Sequence, residues 1–356
     1  MLVDSPPPPR TAAAPAAEAE AAAASRRRDV IRAAGLAVSL GVLVLAALVS
    51  LAVGAKPIPL GQVWHGLFAH TGTDTDVVVR DLRVPRTLLG VLVGAGLGLS
   101  GAVMQALTRN PLADPGLFGI NAGAAAAVVT GTAFLGVTSL TGYVWFAFLG
   151  AAAVSVVVYA LGGSRAATPV RLALAGTAVT AALNGYVFSV ELLDSAALDR
   201  MRFWTVGSLA SANATVVAQL APFIAVGTVL ALALARPLNA LALGDDQARA
   251  LGTRLTTTRI LALAAVTLLC GAATAACGPI VFVGLMVPHA VRTFTGPDQR
   301  WILPYAAVLA PVLVLVSDIA GRVVTRPGEL QAGIVTAFLG GPLFVHLVRR
   351  RKMAQL

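Results

Sequence analysis

Lysine occurs only at Lys56 and Lys352 in this chain of 356 residues, and that scarcity closes one route to nucleotide chemistry. A phosphate-cradling loop needs Gly-Lys-Ser/Thr, so that the lysine reaches the nucleotide phosphates. Lys56 follows Ala55 and Lys352 precedes Met353, so neither fills that place. No His-Glu-x-x-His, no cysteine cluster at metal-ligand spacing and no Ser-His-Asp set stands out. The chain is therefore read as catalysing nothing by itself and as binding no cofactor of its own. Cys270 and Cys277, seven apart in an apolar stretch, read as small core residues. His289 follows Pro288 and reads as structural, bonding backbone groups that the proline frees.

The remaining polar groups point to solute movement without ion coupling. Ion-driven carriers commonly hold an acid in mid-membrane, whereas Asp114, Glu191, Asp298, Asp318 and Glu329 fall at the ends of apolar stretches or between them. Thr177, Thr180 and Asn184 recur at i, i+3 and i+7, on one helix face, with Ser189 beyond them. Small polar residues of this kind either line a path or cement helix contacts. A chain with this inventory that moves a solute takes its energy from a partner.

The elements that must position these groups are membrane helices. The chain is 57% apolar and 12% charged, against about 25% charged in soluble proteins. Charge-free stretches of roughly 20 residues, the length of one span, recur along it. Ten spans are expected: Ala33–Ala55, Thr87–Ala106, two between Asp114 and Arg165 divided near Thr138–Tyr143, Leu172–Val190, Ala214–Ala235, two in Ile260–Val291 broken at Gly278-Pro279, Leu303–Val316 and Ile334–Val348. Asp194–Met201 is too polar for lipid and reads as a short surface helix. The run 237–259 reads as an amphipathic connection. Five glycines between Gly90 and Gly101 let neighbouring backbones approach, which places the second span inside the bundle.

The net charge of +10 is concentrated at the ends of the chain and does not suggest nucleic acid. Arg26, Arg27, Arg28 and Arg32 precede the first span; Arg349, Arg350, Arg351 and Lys352 follow the last. By the positive-inside rule both termini are cytoplasmic, and an even number of spans follows. Residues 1–29, rich in Pro and Ala, read as a disordered basic cytoplasmic tail, and 30–356 as the transmembrane domain. Arg83 and Arg86 then lie outside, against the usual bias.

Several blocks resemble one family. Arg83-Val84-Pro85-Arg86 before the glycine-rich span, Ser100-Gly101 and Gln105, and Arg109-Asn110-Pro111-Leu112-Ala113-Asp114-Pro115 are similar to the FecCD permeases of type II ABC importers for siderophores, haem and cobalamin. Ala240 to Gly252, Gly278-Pro279-Ile280 to Pro288-His289, and Gly328-Glu329-Leu330 to Thr336 match in the same order. The resemblance covers about residues 33–350. It implies an all-α, polytopic permease fold of about ten helices in the bacterial cell membrane. It also implies a second permease, identical or related, two ABC ATPases that carry the ATP and Mg²⁺, an extracytoplasmic binding protein, and a ferric siderophore as cargo. Haem or cobalamin is the alternative cargo, and an ion-coupled secondary transporter the alternative class.

The same resemblance assigns residues. Leu243, Gly244, Asp245, Ala248, Arg249, Leu251 and Gly252 would form an ATPase-coupling helix, unless they are an ordinary solvated connection. Arg83, Arg86 and Arg322 would dock acidic residues of the binding protein, unless they anchor helix ends or pair with Asp81 and Asp318. Thr168, Pro169 and Val170 match the region that closes the inner end of the path, with Thr177, Thr180 and Asn184 as candidate lining.

Overall fold

The computed structural model describes residues 13–54, 56–69, 72–137, 139–162 and 169–353, and among these there is no strand. Helix α1 (Ala13–Ala52) is followed by α2 (Leu60–Phe68), α3 (Asp74–Val77) and a π-helical stretch (Val78–Arg83) that runs directly into α4 (Val84–Thr108). A 3-10 turn (Pro115–Phe118) leads to α5 (Ile120–Phe134), α6 (Leu140–Leu161) and α7 (Pro169–Leu193). Then come α8 (Ser195–Trp204), α9 (Ala214–Ala233), α10 (Ala235–Ala242), α11 (Asp245–Ala250) and α12 (Leu255–Cys277). The last three are α13 (Val283–Thr295), α14 (Gln299–Val324) and α15 (Ala332–Met353).

Each of the ten expected spans coincides with a helix. Among the described residues, α1, α4, α6, α7, α9, α12 and α14 are long and apolar enough to cross a membrane. α5 and the first part of α15 are shorter apolar helices, and α13, beyond the Gly278-Pro279 break, makes the tenth. The short polar helix expected before the sixth span is α8.

Three boundaries differ from the sequence reading. Residues 13–29, read as disordered, continue α1 as helix; the segment is dominated by alanine, the strongest helix former. The amphipathic run 237–259 divides at Gly244, whose φ of 108° breaks the helix, and again at Gly252 (φ 79°), so α12 already begins at Leu255. α14 is much longer than Leu303–Val316, because Asp318 and Arg322 are buried inside it. The two charges lie 3.1 Å apart, a turn apart on the helix, so neither ends the span.

α4 is the centre of the molecule. Almost every residue from Leu89 to Leu107 is buried, with α14 and α12 packed along it and α13 and α9 beside them. Glycine makes that approach feasible. A Cβ on Gly101 would collide with the backbone of Gly284 in α13, and one on Gly94 with the backbone of Pro311 in α14. Where α12 stops, its freed Cys277 O accepts from Ser208 N at 2.7 Å, and the loop that supplies Ser208 is held in turn by Gly333 N donating to Gly207 O at 3.0 Å. Non-helical backbone at membrane depth is tolerated only when buried in this way.

Because backbone has no rotamer with which to yield, Gly101→Val should destabilise the bundle by about 1–3 kcal/mol or more. Gly41→Val, on the open face of α1, should be near neutral. Thermal unfolding of the two purified variants in detergent checks this.

Candidate functional site

Three arginines from distant parts of the chain converge on the end of α1. Arg83 Nη1 donates to Leu51 O (2.7 Å) and Ala52 O (2.8 Å), and its Nη2 to Lys56 O. Arg322 Nη1 donates to Ser50 O (3.1 Å) and Val53 O (3.0 Å), and its Nη2 to Ser50 Oγ (2.9 Å). Arg326 Nη2 donates to Gly54 O at 2.7 Å. A helix end leaves its last carbonyls without partners and carries partial negative charge, so guanidinium groups suit it on both counts.

Arg86, one turn into the rod from Arg83, faces α14 instead. Its Nε lies 3.1 Å from both oxygens of Asp318, its Nη2 donates to Asp318 Oδ1 at 2.8 Å, and its Nη1 to Glu329 Oε2 at 2.8 Å. Asp318 thus sits between Arg86 and Arg322, with Nε of Arg322 in ion-pair contact but off-axis for a hydrogen bond. These residues surround a cavity of about 360 Å³ lined by Lys56, Arg83, Arg86, Arg322 and Glu329.

The structure therefore brings Arg83, Arg86 and Arg322 together and buries two of them. Arg83 is 7% exposed and Arg322 2% exposed, and both guanidiniums are committed to α1. They shape the floor of the pit. The groups left at its rim are Lys56, exposed, and the Arg86–Glu329 pair.

At the opposite face a second network forms around Asp245. Its carboxylate accepts from Arg259 Nη2 at 2.7 Å and from Arg109, which closes α4 in the left-handed region (φ 52°). Burial alone would raise the Asp245 pKa, but the hydrogen bonds and charges of Arg259 and Arg109 outweigh it and hold the carboxyl below its usual range. Asn239 of α10 ties the same region to the start of α14, donating to Asp298 Oδ1 (2.6 Å) and accepting from Gln299 N (2.8 Å). On that face lies Arg32, bonded to Thr295 O.

The predicted coupling residues divide. Leu243 is 57% exposed and Leu251 65% exposed, and Arg249 is exposed with Asp246 as its partner at 2.8 Å. Gly244 and Gly252 have open space around them, and both take positive φ. Asp245 is the anchor. Ala248, expected at the docking surface, is fully buried, because α11 folds back onto α10 and α12 and points this small residue inward.

The candidate path residues are less unified. Thr168 lies outside the described residues; Pro169 opens α7, and Val170 is exposed. Thr177 and Asn184 are exposed, and the Thr177 hydroxyl donates to Ala173 O of its own helix at 2.9 Å. The Thr180 hydroxyl is buried with no hydrogen-bond partner among the described residues. It points toward Gly119, at the junction of the 3-10 turn and α5. The Arg109–Asp245 pair was missed in sequence, and pairing with Asp318 stood there only as the alternative to docking. The members of the Arg109–Asp245 and Arg86–Asp318 pairs are 136 and 232 residues apart, with no local pattern to join them.

Residues 42–350 match the model of the FecCD transport family. The chain is 46% identical over 326 residues to the ferric enterobactin transport system permease protein FepD of Escherichia coli (strain K12), covering 90% of this chain and 97% of that one. It is 38% identical over 291 residues to the probable siderophore transport system permease protein YfiZ of Bacillus subtilis (strain 168), covering 81% and 87%. Among solved structures, a metal-chelate type ABC transporter in an inward-facing conformation superposes with a TM-score of 0.79 at 27% identity, over 88% of this chain and 98% of that one.

Two outcomes test these networks. Asp318→Asn leaves Arg86 and Arg322 facing each other in a buried site and should cost about 3–5 kcal/mol, whereas Glu329→Gln, at the rim, should cost no more than about 1 kcal/mol; thermal unfolding separates them. The depressed Asp245 pKa stabilises the fold above the ordinary carboxylate range, and that contribution is lost as pH falls through the lowered value. Amide-exchange protection of residues 245–253, corrected for intrinsic rates, should therefore drop on acidification in the native protein and be flat with pH in Asp245→Asn.

Proposed function

This chain belongs to the FecCD transport family, and we propose that it is the permease subunit of an ATP-driven importer carrying a ferric siderophore into a bacterial cell. The observation that carries the proposal is the state of the 243–252 segment. Two large apolar side chains, Leu243 and Leu251, stand exposed on the face that bears Arg32, Arg109, Arg249 and Arg259. That is water-side surface by charge bias, where exposed apolar groups mark a docking surface. The segment is nevertheless anchored through Asp245 to Arg109 at the end of α4. A partner pressing on it therefore pushes on the central helix, whose other end carries Arg86 and the arginine pit.

The partner is an ABC ATPase that binds ATP and Mg²⁺; two such subunits and a second permease, identical or related, complete the assembly. The pit on the other face suits a binding protein that presents acidic side chains, with Lys56 and Arg86 as the accessible cations. Rim charges of this kind contribute orientation and encounter rate more than affinity. Both termini are cytoplasmic. The siderophore class is favoured over haem or cobalamin by the names of the two relatives described above, a ferric enterobactin and a probable siderophore permease. An ion-coupled carrier is disfavoured because the buried acids Asp76 and Asp318 are occupied, Asp76 by the Thr73 cap and Asp318 by arginines.

In proteoliposomes holding the permease, its ATPase and the binding protein, Leu243→Asp with Leu251→Asp should lower chelate uptake at least tenfold. Thermal stability should remain within about 0.5 kcal/mol, as for surface substitutions. Uphill uptake by the permease alone, on a chelate gradient without ATP, would overturn the proposal.

A further inference from the structure

Between α6 and α12 runs an apolar groove of about 500 Å³ that no element among the described residues covers. Phe148, Ser155 and Tyr159 form one wall; Ile260, Ala264 and Thr267 form the other. The Ser155 hydroxyl donates to Ala151 O of its own helix at 2.8 Å, so it offers no free donor to the groove. Along α12 the groove extends from Ile260 to Leu268, a rise of about 12 Å at 1.5 Å per residue. That is close to the hydrocarbon depth of one leaflet, half of about 30 Å.

The groove does not end in neutral surroundings. Below Ile260, on the same stripe of α12, Thr256 belongs to a second cavity of about 320 Å³, lined by Arg249, Arg254 and Arg259 with Thr253 and Thr257. No acid is among its lining residues. Arg249 and Arg259 have partners in Asp246 and Asp245, while Arg254 is exposed and has no ion-pair partner among the described residues. An apolar slot one leaflet deep, opening at its water-side end on an unneutralised guanidinium, is complementary to a single amphiphile with a negative head.

The geometry points to a specific site for one anionic glycerophospholipid, an acyl chain lying between α6 and α12 and its phosphate at Arg254. The site depends only on the chain being embedded in a bilayer, and not on which cargo it moves. The bound lipid would fill the seam beside the helix that leads directly into the coupling segment, so the anionic lipid content of the membrane would bear on that segment's packing.

Native mass spectrometry of the full-length chain, purified and exchanged into mixed micelles, reads the site with phosphatidylglycerol and phosphatidylcholine as probes. One phosphatidylglycerol should be retained in preference to phosphatidylcholine. Arg254→Gln should lower that retention about fivefold, the size of one basic residue's attraction to an anionic surface. Ala264→Phe, which fills the slot, should abolish it, whereas Val229→Phe on the exposed face of α9 should not. Inorganic phosphate should fail to compete, which separates a lipid from a free anion. Equal retention of the two lipids, or retention unchanged by Ala264→Phe, overturns the proposal. So does an Arg254→Gln variant that keeps its lipid and loses ATPase assembly, since the arginine would then belong to that interface.

Discussion

The carbonyl oxygens that α1 leaves at residues 50–54 have to be answered inside the protein, and arginines from two other segments answer them. Buried polar backbone groups left without a partner cost free energy comparable to a lost hydrogen bond. Meeting that demand with guanidinium groups buries positive charge, and the buried charge in turn requires Asp318. Asp318 then recruits Arg86, and Arg86 reaches Glu329. The arginine pit is thus the visible end of a chain of obligations that begins at a helix terminus.

That chain fixes α4 at one end, and Asp245 fixes it at the other through Arg109. Between the two, glycines at the α13 and α14 contacts hold the helix against its neighbours with almost no side-chain cushion. Close-packed interiors transmit displacement because they have little room to absorb it. A single buried helix therefore spans from the pit to the Asp245 anchor of the 245–253 segment.

The broad plan was legible in the residues. Spans, their order and the break at Gly278-Pro279 followed from charge-free length and from proline chemistry. The placement of α4 at the centre followed from its glycines. The detailed roles were less legible. The resemblance assigned Arg83 and Arg322 to docking by motif position, which carries no information on burial, and both are buried. It assigned Ala248 to the coupling helix in the same way, and Ala248 is the one residue of α11 fully buried.

What the sequence determined was the solvent: a chain this apolar belongs in lipid, its spans must be helical, and its ordered motifs place it in a family. Which face of each helix meets protein was decided only by the tertiary structure. Lipid tails are as apolar as leucine, so a helix that is hydrophobic all round carries no periodicity to separate lipid-facing from buried positions, and the α6–α12 groove is invisible in one dimension. The ion pairs were likewise settled by folding, because a contact across 232 residues leaves no trace in local composition; it exists only once two helix ends have been brought side by side.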